Sequence, residues 1–516
     1  MKADAFLGLD IGTSGVKALL VDAAGDVVGQ ATTPLDLATP RPGWAEQDPE
    51  QWWRASVSSV RSVLSTAKHN IAAIGLSGQM HSSVFLDARG DVIRPALLWC
   101  DGRTTAECSE IERRVGGESR LRKLACNPAL EGFTLPKVLW LRNHEPQAFS
   151  RLSRVLLAKD YIRYRLTGEM ASEPSDASGT LMFDTARTRW SDEILAAVGL
   201  PRSIVPEIGG SAEILGRVTA EAARLCGLQP GTAVVGGGAD NACGAAGAGA
   251  VAPGSAVSSW GTSGTVLAPT AEPRVDPALR AHTFNHVVPG MWYVMGVVLS
   301  AGGAFAWYRD QFGRDFGDAA SANSGLTAEA ATVHRGAGGV TFLPYLQGER
   351  TPHRDASLRA SFLGMSLAHT RAHMTRAVLE GVCFALRDSL SILRDLGLAP
   401  DHLLLTGGGA HSDFIRTLQA EVFGMPVCRV NREEGPAYGA ALLAAVGAGA
   451  YPDLAAAAAA TLTRTSLEVP DAAASAAYDD AYRRYRAWFG AASVPRVSPD
   501  RAAPVVKAPP GPETIG

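Results

Sequence analysis

The residues best placed to do chemistry lie in Val234-Val235-Gly236-Gly237-Gly238-Ala239-Asp240-Asn241. The β-branched pair reads as the end of a buried strand. Three glycines then allow a tight turn and close approach to the main chain. Asp240 would stand at the C-terminal edge of that strand, where open α/β sheets place their ligands. A Gly-rich turn with an Asx cap on the next helix fits the same letters, and this segment alone leaves both readings open.

A second candidate is FLGLDIGTSGVKALLVD, residues 6–22. It reads as two strands joined by Gly12-Thr13-Ser14-Gly15, with Asp10 before the loop and Lys17 after it. Free N–H groups and hydroxyls in such a loop can wrap a phosphate, and Asp10 can hold a magnesium-bound water. A plain hairpin is the alternative. No G-x-x-x-x-G-K-[ST] occurs, which excludes a P-loop protein. Two further segments could meet a small polar substrate. The strand IAAIGLSGQMHS (71–82) ends with Met80 and His81, and LLWCDGR (97–103) sets Trp99, Asp101 and Arg103 within five positions. Trp99 could stack on a sugar face while Asp101 and Arg103 bond its hydroxyls; a buried tryptophan beside a surface ion pair reads equally from those letters.

The elements that must position these residues show a repeat. Gly-Thr-Ser-Gly recurs at 261–264, between β-prone runs, and LLLTGGGA (403–410) is a second strand followed by three glycines. One loop of each type per half suggests a duplication, hence two similar α/β halves meeting around one ligand. From Thr370, a plausible N-cap, the apolar stripe Met374, Ala377, Val378, Val382, Ala385 and Leu386 predicts a long helix. The uncharged run from Gly435 to Pro452 is shorter than the roughly 20 residues of a membrane span and reads as a buried Ala/Gly helix.

The chain has 516 residues, too many for one core. A net charge of −3 supplies no footprint for nucleic acid or an anionic membrane. Seven cysteines with no CxxC pair argue against a disulfide framework and a zinc site. With Asp4 and Asp10 interrupting any leader-like pattern, a cytoplasmic setting is expected.

Gly132–His144 (GFTLPKVLWLRNH) and Ala360–Glu380 resemble the two signatures of the FGGY carbohydrate kinases. The resemblance covers roughly residues 5–490 and extends to WAEQDPEQWW (44–53), SGQMH (77–81), SDASGTLMFD (175–184) and FLPYLQGERTPH (342–353). It implies an α/β fold of two actin/hexokinase/Hsp70-like (ribonuclease H-like) domains facing each other across a catalytic cleft. The expected bounds are 1–246 for the first domain and 247–490 for the second, with a disordered Pro/Ala-rich tail at 491–516. The resemblance makes Asp240 the catalytic base and Met80, His81 and Asn241 sugar contacts. Gly12, Thr13, Ser14 and Lys17 become one phosphate loop, Gly261 and Thr262 the other, and Gly408 and Gly409 the adenosine site. ATP and Mg²⁺, the latter near Asp10, are the implied cofactors. The implied reaction is phosphorylation of the terminal hydroxyl of D-xylulose. Ribulose, ribitol, gluconate and glycerol stand as alternative acceptors, and a non-catalytic actin-like or sugar-sensing protein as an alternative of another class. Ser82 and Cys100 stand where the most similar members commonly carry Gly and Asn, which bears on sugar choice. The partners are a small-molecule sugar and ATP, without nucleic acid or membrane; a homodimer is an open expectation.

Overall fold

In a computed structural model the described residues are 4–66 and 69–491. The tail expected at 491–516 lies outside them beyond Ala491. Two mixed sheets dominate, each built around a three-stranded antiparallel meander. In the first half the order is Ile214–Arg217, Ala233–Val235, Asn70–Gly78, Asp4–Ile11, Gly15–Asp22 and Val27–Pro34. Asn70–Gly78 runs parallel to both of its main neighbours, and the remaining pairs are antiparallel.

The second sheet repeats this order and these directions. Ser255–Trp260, Gly264–Thr270 and Trp292–Val298 form its meander. His402–Thr406 and Val427–Val430 continue in parallel, and Arg464–Glu468 closes the edge antiparallel. A short extra strand, His282–Asn285, pairs outside the meander. The two Gly-Thr-Ser-Gly loops therefore join equivalent strands, as a duplication requires. The triple glycines do not. His402–Thr406 corresponds to Asn70–Gly78, so Gly407–Gly409 matches the turn at Gly78-Gln79-Met80, while the strand before Gly236 corresponds to Val427–Val430.

The predicted long helix spans Arg371–Asp395, and Thr370 precedes it, its N–H donating to His373 Nδ1 at 3.3 Å. It packs on the second sheet with helices Asp413–Phe423 and Ala472–Ala491. The first sheet is covered on one face by helices Pro49–Thr66, Ala158–Thr167 and Ala220–Cys226. Its other face takes the Ala/Gly helix, Pro436–Gly447, which comes from the second half of the chain.

That crossing works because side chains are missing at the contact. A Cβ on Gly8 would sit 1.9 Å from Ala437 O, and one on Gly75 1.9 Å from Ala440 O. On the helix's other side, a Cβ on Gly439 would meet Cys243 O at 1.9 Å, against helix Asp240–Gly247. Strand, interdomain helix and the helix that begins at Asp240 thus touch backbone to backbone.

Gly75→Ala should lower stability by about 3 kcal/mol, because two backbones must separate to admit a methyl group. Gly102→Ala, whose Cβ would find its nearest neighbour at 3.6 Å, should stay within about 1 kcal/mol. Denaturant unfolding of both variants checks this; equal midpoints would contradict the close-packed crossing.

Candidate active site

Asp240 opens helix Asp240–Gly247 directly after the glycine turn. Gly237 has φ of 73°, and a Cβ there would lie 2.0 Å from Leu76 O. The turn is thereby pressed against strand Asn70–Gly78, where Gly238 and Ala239 pair with Ser77 and Gly78. The Asp240 carboxylate does not cap the helix. Its Oδ1 accepts from Asn241 N (2.8 Å) and Asn241 Nδ2 (3.0 Å), and it faces a cleft of about 290 Å³ between the halves. Val257 and Leu267 of the second sheet line the opposite side, with Thr406-Gly407 and the loop before Pro436.

Burial pushes the Asp240 carboxyl up to about 7, and the charge of Asp10 pushes the same way. Asp10, the last but one residue of strand Asp4–Ile11, is itself raised to about 6 by burial, with Ser77 and Lys17 partly offsetting the shift. Its Oδ1 is buried without a hydrogen-bond partner. Lys17 lies opposite Asp10 in the hairpin, but its ammonium bonds the Glu434 carboxylate on the loop that enters the interdomain helix.

The first Gly-Thr loop is stitched to the turn at residues 79–82. Gly12 N–H donates to Gly15 O (3.0 Å), and Ser14, exposed, accepts Leu35 N–H through its carbonyl. Thr13 Oγ1 donates to Gln79 Oε1 (3.2 Å) and accepts Trp99 Nε1–H (3.0 Å). Gln47 adds a donor to Thr13 O (2.8 Å), and Ser82 Oγ donates to Gln79 Oε1 (3.0 Å). Gln79 and Gln47 are absent from the sequence-based set. Both lie inside strings that carried the family resemblance, and only the fold shows that they meet.

Met80 and His81 sit on that turn. His81 is in the left-handed region (φ 66°) and buried, and its Nδ1 lies 2.5 Å from Gly179 O. A carbonyl can only accept, so Nδ1 carries the proton. Burial, with help from Lys137, lowers the ring to about 3, so it is neutral and Nε2 is an acceptor. Lys137, from the first signature, donates to His81 O (3.0 Å) and Gly132 O (2.6 Å) and so fixes the strained turn. Met80 Sδ accepts from Asn241 Nδ2 (3.7 Å) and Tyr293 OH (3.8 Å), which joins this turn to the segment carrying Asp240.

Asp101 and Arg103, expected to bind hydroxyls, are engaged with protein partners in this structure. Both side chains are buried, paired at 2.7 Å, and Asp101 Oδ2 also accepts Ala45 N–H at 2.7 Å. The Arg103 guanidinium lies 3.6 Å from the Trp44 ring centroid. Their polar atoms are spent bracing the WAEQ segment, and the sequence could not reveal that Ala45 is the third partner. Trp99 spends its indole N–H on Thr13.

Four of the eight residues expected to meet the nucleotide converge; Gly12, Thr13, Ser14 and Lys17 do not line the same cleft. Gly261, Thr262, Gly408 and Gly409 line one cleft of about 710 Å³ with Arg309 and Asn323. Trp260 seats it, since Cβ atoms on Gly407 and Gly409 would lie 2.6 Å from its carbonyl oxygen and its ring. The carbonyls of Gly261 and Thr262 accept N–H bonds from Gly302 (2.8 Å) and Gly303 (2.9 Å), locking the second loop to helix Gly302–Phe312.

Two halves of one topology, with a carboxylate lining the cleft between them, match a sugar-kinase architecture of the actin/hexokinase type. The chain belongs to the FGGY family of carbohydrate kinases: the model of that family's N-terminal domain matches residues 5–247 and that of its C-terminal domain residues 256–448. It is 42% identical to the xylulose kinase of Lactococcus lactis, over 87% of this chain and 89% of that one. It is 40% identical to that of Staphylococcus xylosus, over 86% and 90%. Among solved structures it superposes on a xylulose kinase from Rhodospirillum rubrum (33% identity, TM-score 0.87, 94% and 98% covered). It also superposes on a gluconate kinase from Lactobacillus acidophilus (26% identity, TM-score 0.90, 95% and 99% covered). No helix among the described residues is long and apolar enough to cross a membrane.

The raised Asp240 carboxyl has two consequences of opposite benefit. If Asp240 serves as the base it must be ionised, so kcat/KM for the sugar should then fall as pH drops below about 7. Stability runs the other way: the native state holds this proton longer than the unfolded chain, so the group costs stability as pH rises from 3.8 through about 7. Asp240→Asn should therefore melt higher than wild type at pH 8 and gain nothing at pH 4. Calorimetry at the two pH values checks this, and a lower melting temperature at pH 8 would contradict it.

Proposed function

We propose that this chain transfers the γ-phosphoryl group of ATP to the terminal hydroxyl of D-xylulose, giving D-xylulose 5-phosphate. One observation carries the choice of sugar: relatives named xylulose kinase share about 40% identity over nearly the whole chain. In this reading Asp240 takes the hydroxyl proton as the new bond forms. A carboxylate suffices, because a loose transition state asks little of the nucleophile and most of positioning and charge neutralisation. Asn241, Met80 and the neutral His81, through Nε2, hold the sugar's hydroxyls. ATP lies across the halves, its adenosine against Gly408 and Gly409 and its phosphates between the loops at Gly12-Thr13 and Gly261-Thr262.

Asp10 suits Mg²⁺, since its buried Oδ1 has no partner. No group of three or more metal-ligating side chains occurs among the described residues. Mg²⁺ characteristically takes one or two carboxylates, its remaining ligands being phosphate oxygens and water. When bound, the ion neutralises phosphate charge. Lys17 would exchange Glu434 for phosphate when nucleotide arrives. We place this reaction in the cytoplasm, where sugar and ATP meet.

A coupled ADP-release assay across D-xylulose, ribulose, ribitol, gluconate and glycerol tests the proposal. D-Xylulose should give the highest kcat/KM, at least about tenfold above the rest. A higher value for any other acceptor would reassign the substrate, and ADP release without any acceptor would contradict a sugar kinase.

A further inference from the structure

Directly behind the segment that carries Asp240 lies a buried ionic cluster that the proposed reaction does not use. Lys159, on helix Ala158–Thr167, has no exposed surface; its ammonium lies 2.7 Å from Asp160, 3.4 Å from Glu173 and 3.4 Å from Asp176. Arg163, one turn further on and equally buried, reaches Asp160 at 2.8 Å and donates to Gly236 O at 3.0 Å. Glu173 accepts Ser175 N–H (2.8 Å), Ser175 Oγ–H (2.8 Å), Asp176 N–H (2.9 Å) and Ser211 Oγ–H (2.9 Å). Because its proton goes to Glu173, Ser175 Oγ is left with its lone pairs facing away, and there it accepts the Ala239 N–H at 2.9 Å.

The cluster thus grips both ends of Gly236–Ala239, Arg163 on the first carbonyl and Ser175 on the last N–H. Apolar side chains would fill such a volume at least as stably, since removing charges from water costs several kcal/mol per ion before pairing repays it. What ion pairs add over a greasy core is direction. Here the directed bonds end on the 236–237 and 238–239 peptides, which lead into Asp240. The three glycines, free to take several conformations, make that restraint necessary.

We propose that Ser175, held in orientation by Glu173 and Lys159, is a positioning residue for Asp240: its hydroxyl sets the Ala239 peptide and through it the angle at which the carboxylate meets the acceptor hydroxyl. This rests on Asp240 being the base. Ser175 and Glu173 touch neither substrate nor nucleotide in this assignment.

Ser175→Ala in the full chain is the test, read with ATP and the sugar that the wild type prefers. A misdirected base predicts kcat lower by about tenfold to a hundredfold. KM for ATP should stay within about twofold, since uniform binding is untouched. Hydrogen exchange of the peptide spanning 236–241 should quicken while the second half is unchanged. If Ser175→Ala does not yield folded protein, Glu173→Gln, which keeps shape and removes the charge aligning the hydroxyl, must show the same split. A kcat within twofold of wild type in the folded variant overturns the proposal. So does a fall in kcat matched by an equal rise in KM for ATP. A wild type inactive on every sugar would instead defeat the kinase reading, leaving the positioning role without a reaction to serve.

Discussion

The contact on which the rest depends is the seat of helix Pro436–Gly447 against strands Asp4–Ile11 and Asn70–Gly78. A helix contributed by one half lies on the sheet of the other, with glycines at Gly8, Gly75 and Gly439 allowing main chains to touch. Both catalytic-type carboxylates hang from this crossing. Asp10 is the last but one residue of one of the two strands, and Asp240 opens the helix packed against Gly439.

Desolvation raises both carboxyls, and the charge of Asp10 raises Asp240 further, a pattern that clusters at functional sites. The surrounding protein supplies little relief. Lys17, the nearest cation, is engaged with Glu434, and the orphaned Asp10 oxygen has no protein donor. The arrangement makes sense for a site completed by a cation and a polyphosphate, in which backbone N–H groups of two Gly-Thr loops share the anionic load. A second half without lysine between Lys159 and Lys507 is consistent with that division.

Much of this was legible before any fold was known. The repeated Gly-Thr-Ser-Gly loops do mark equivalent hairpins, and the uncharged Ala/Gly run is indeed a buried helix. The triple glycines misled, because local sequence records that a strand ends in a turn but not which strand of the sheet it is. Asp101 and Arg103 show a related ambiguity: an acid and a base two residues apart can satisfy each other, and in this fold they do. Gln47, Gln79, Glu173 and Ser175 were invisible as a group. Glu173 and Ser175 do bond each other at short range. The bonds that tie these residues to the site, Thr13 to Gln79, Gln47 to Thr13 and Ala239 to Ser175, span 66, 34 and 64 residues and leave no spacing to read.

The account stands or falls on Asp240. Asp240→Asn preserves shape and hydrogen bonding while removing the group that can accept a proton, so nucleotide binding by titration calorimetry should match wild type while phosphorylation of D-xylulose falls by at least about a hundredfold. Turnover near the wild-type rate, with nucleotide binding intact, would remove Asp240 from the chemistry and contradict the account.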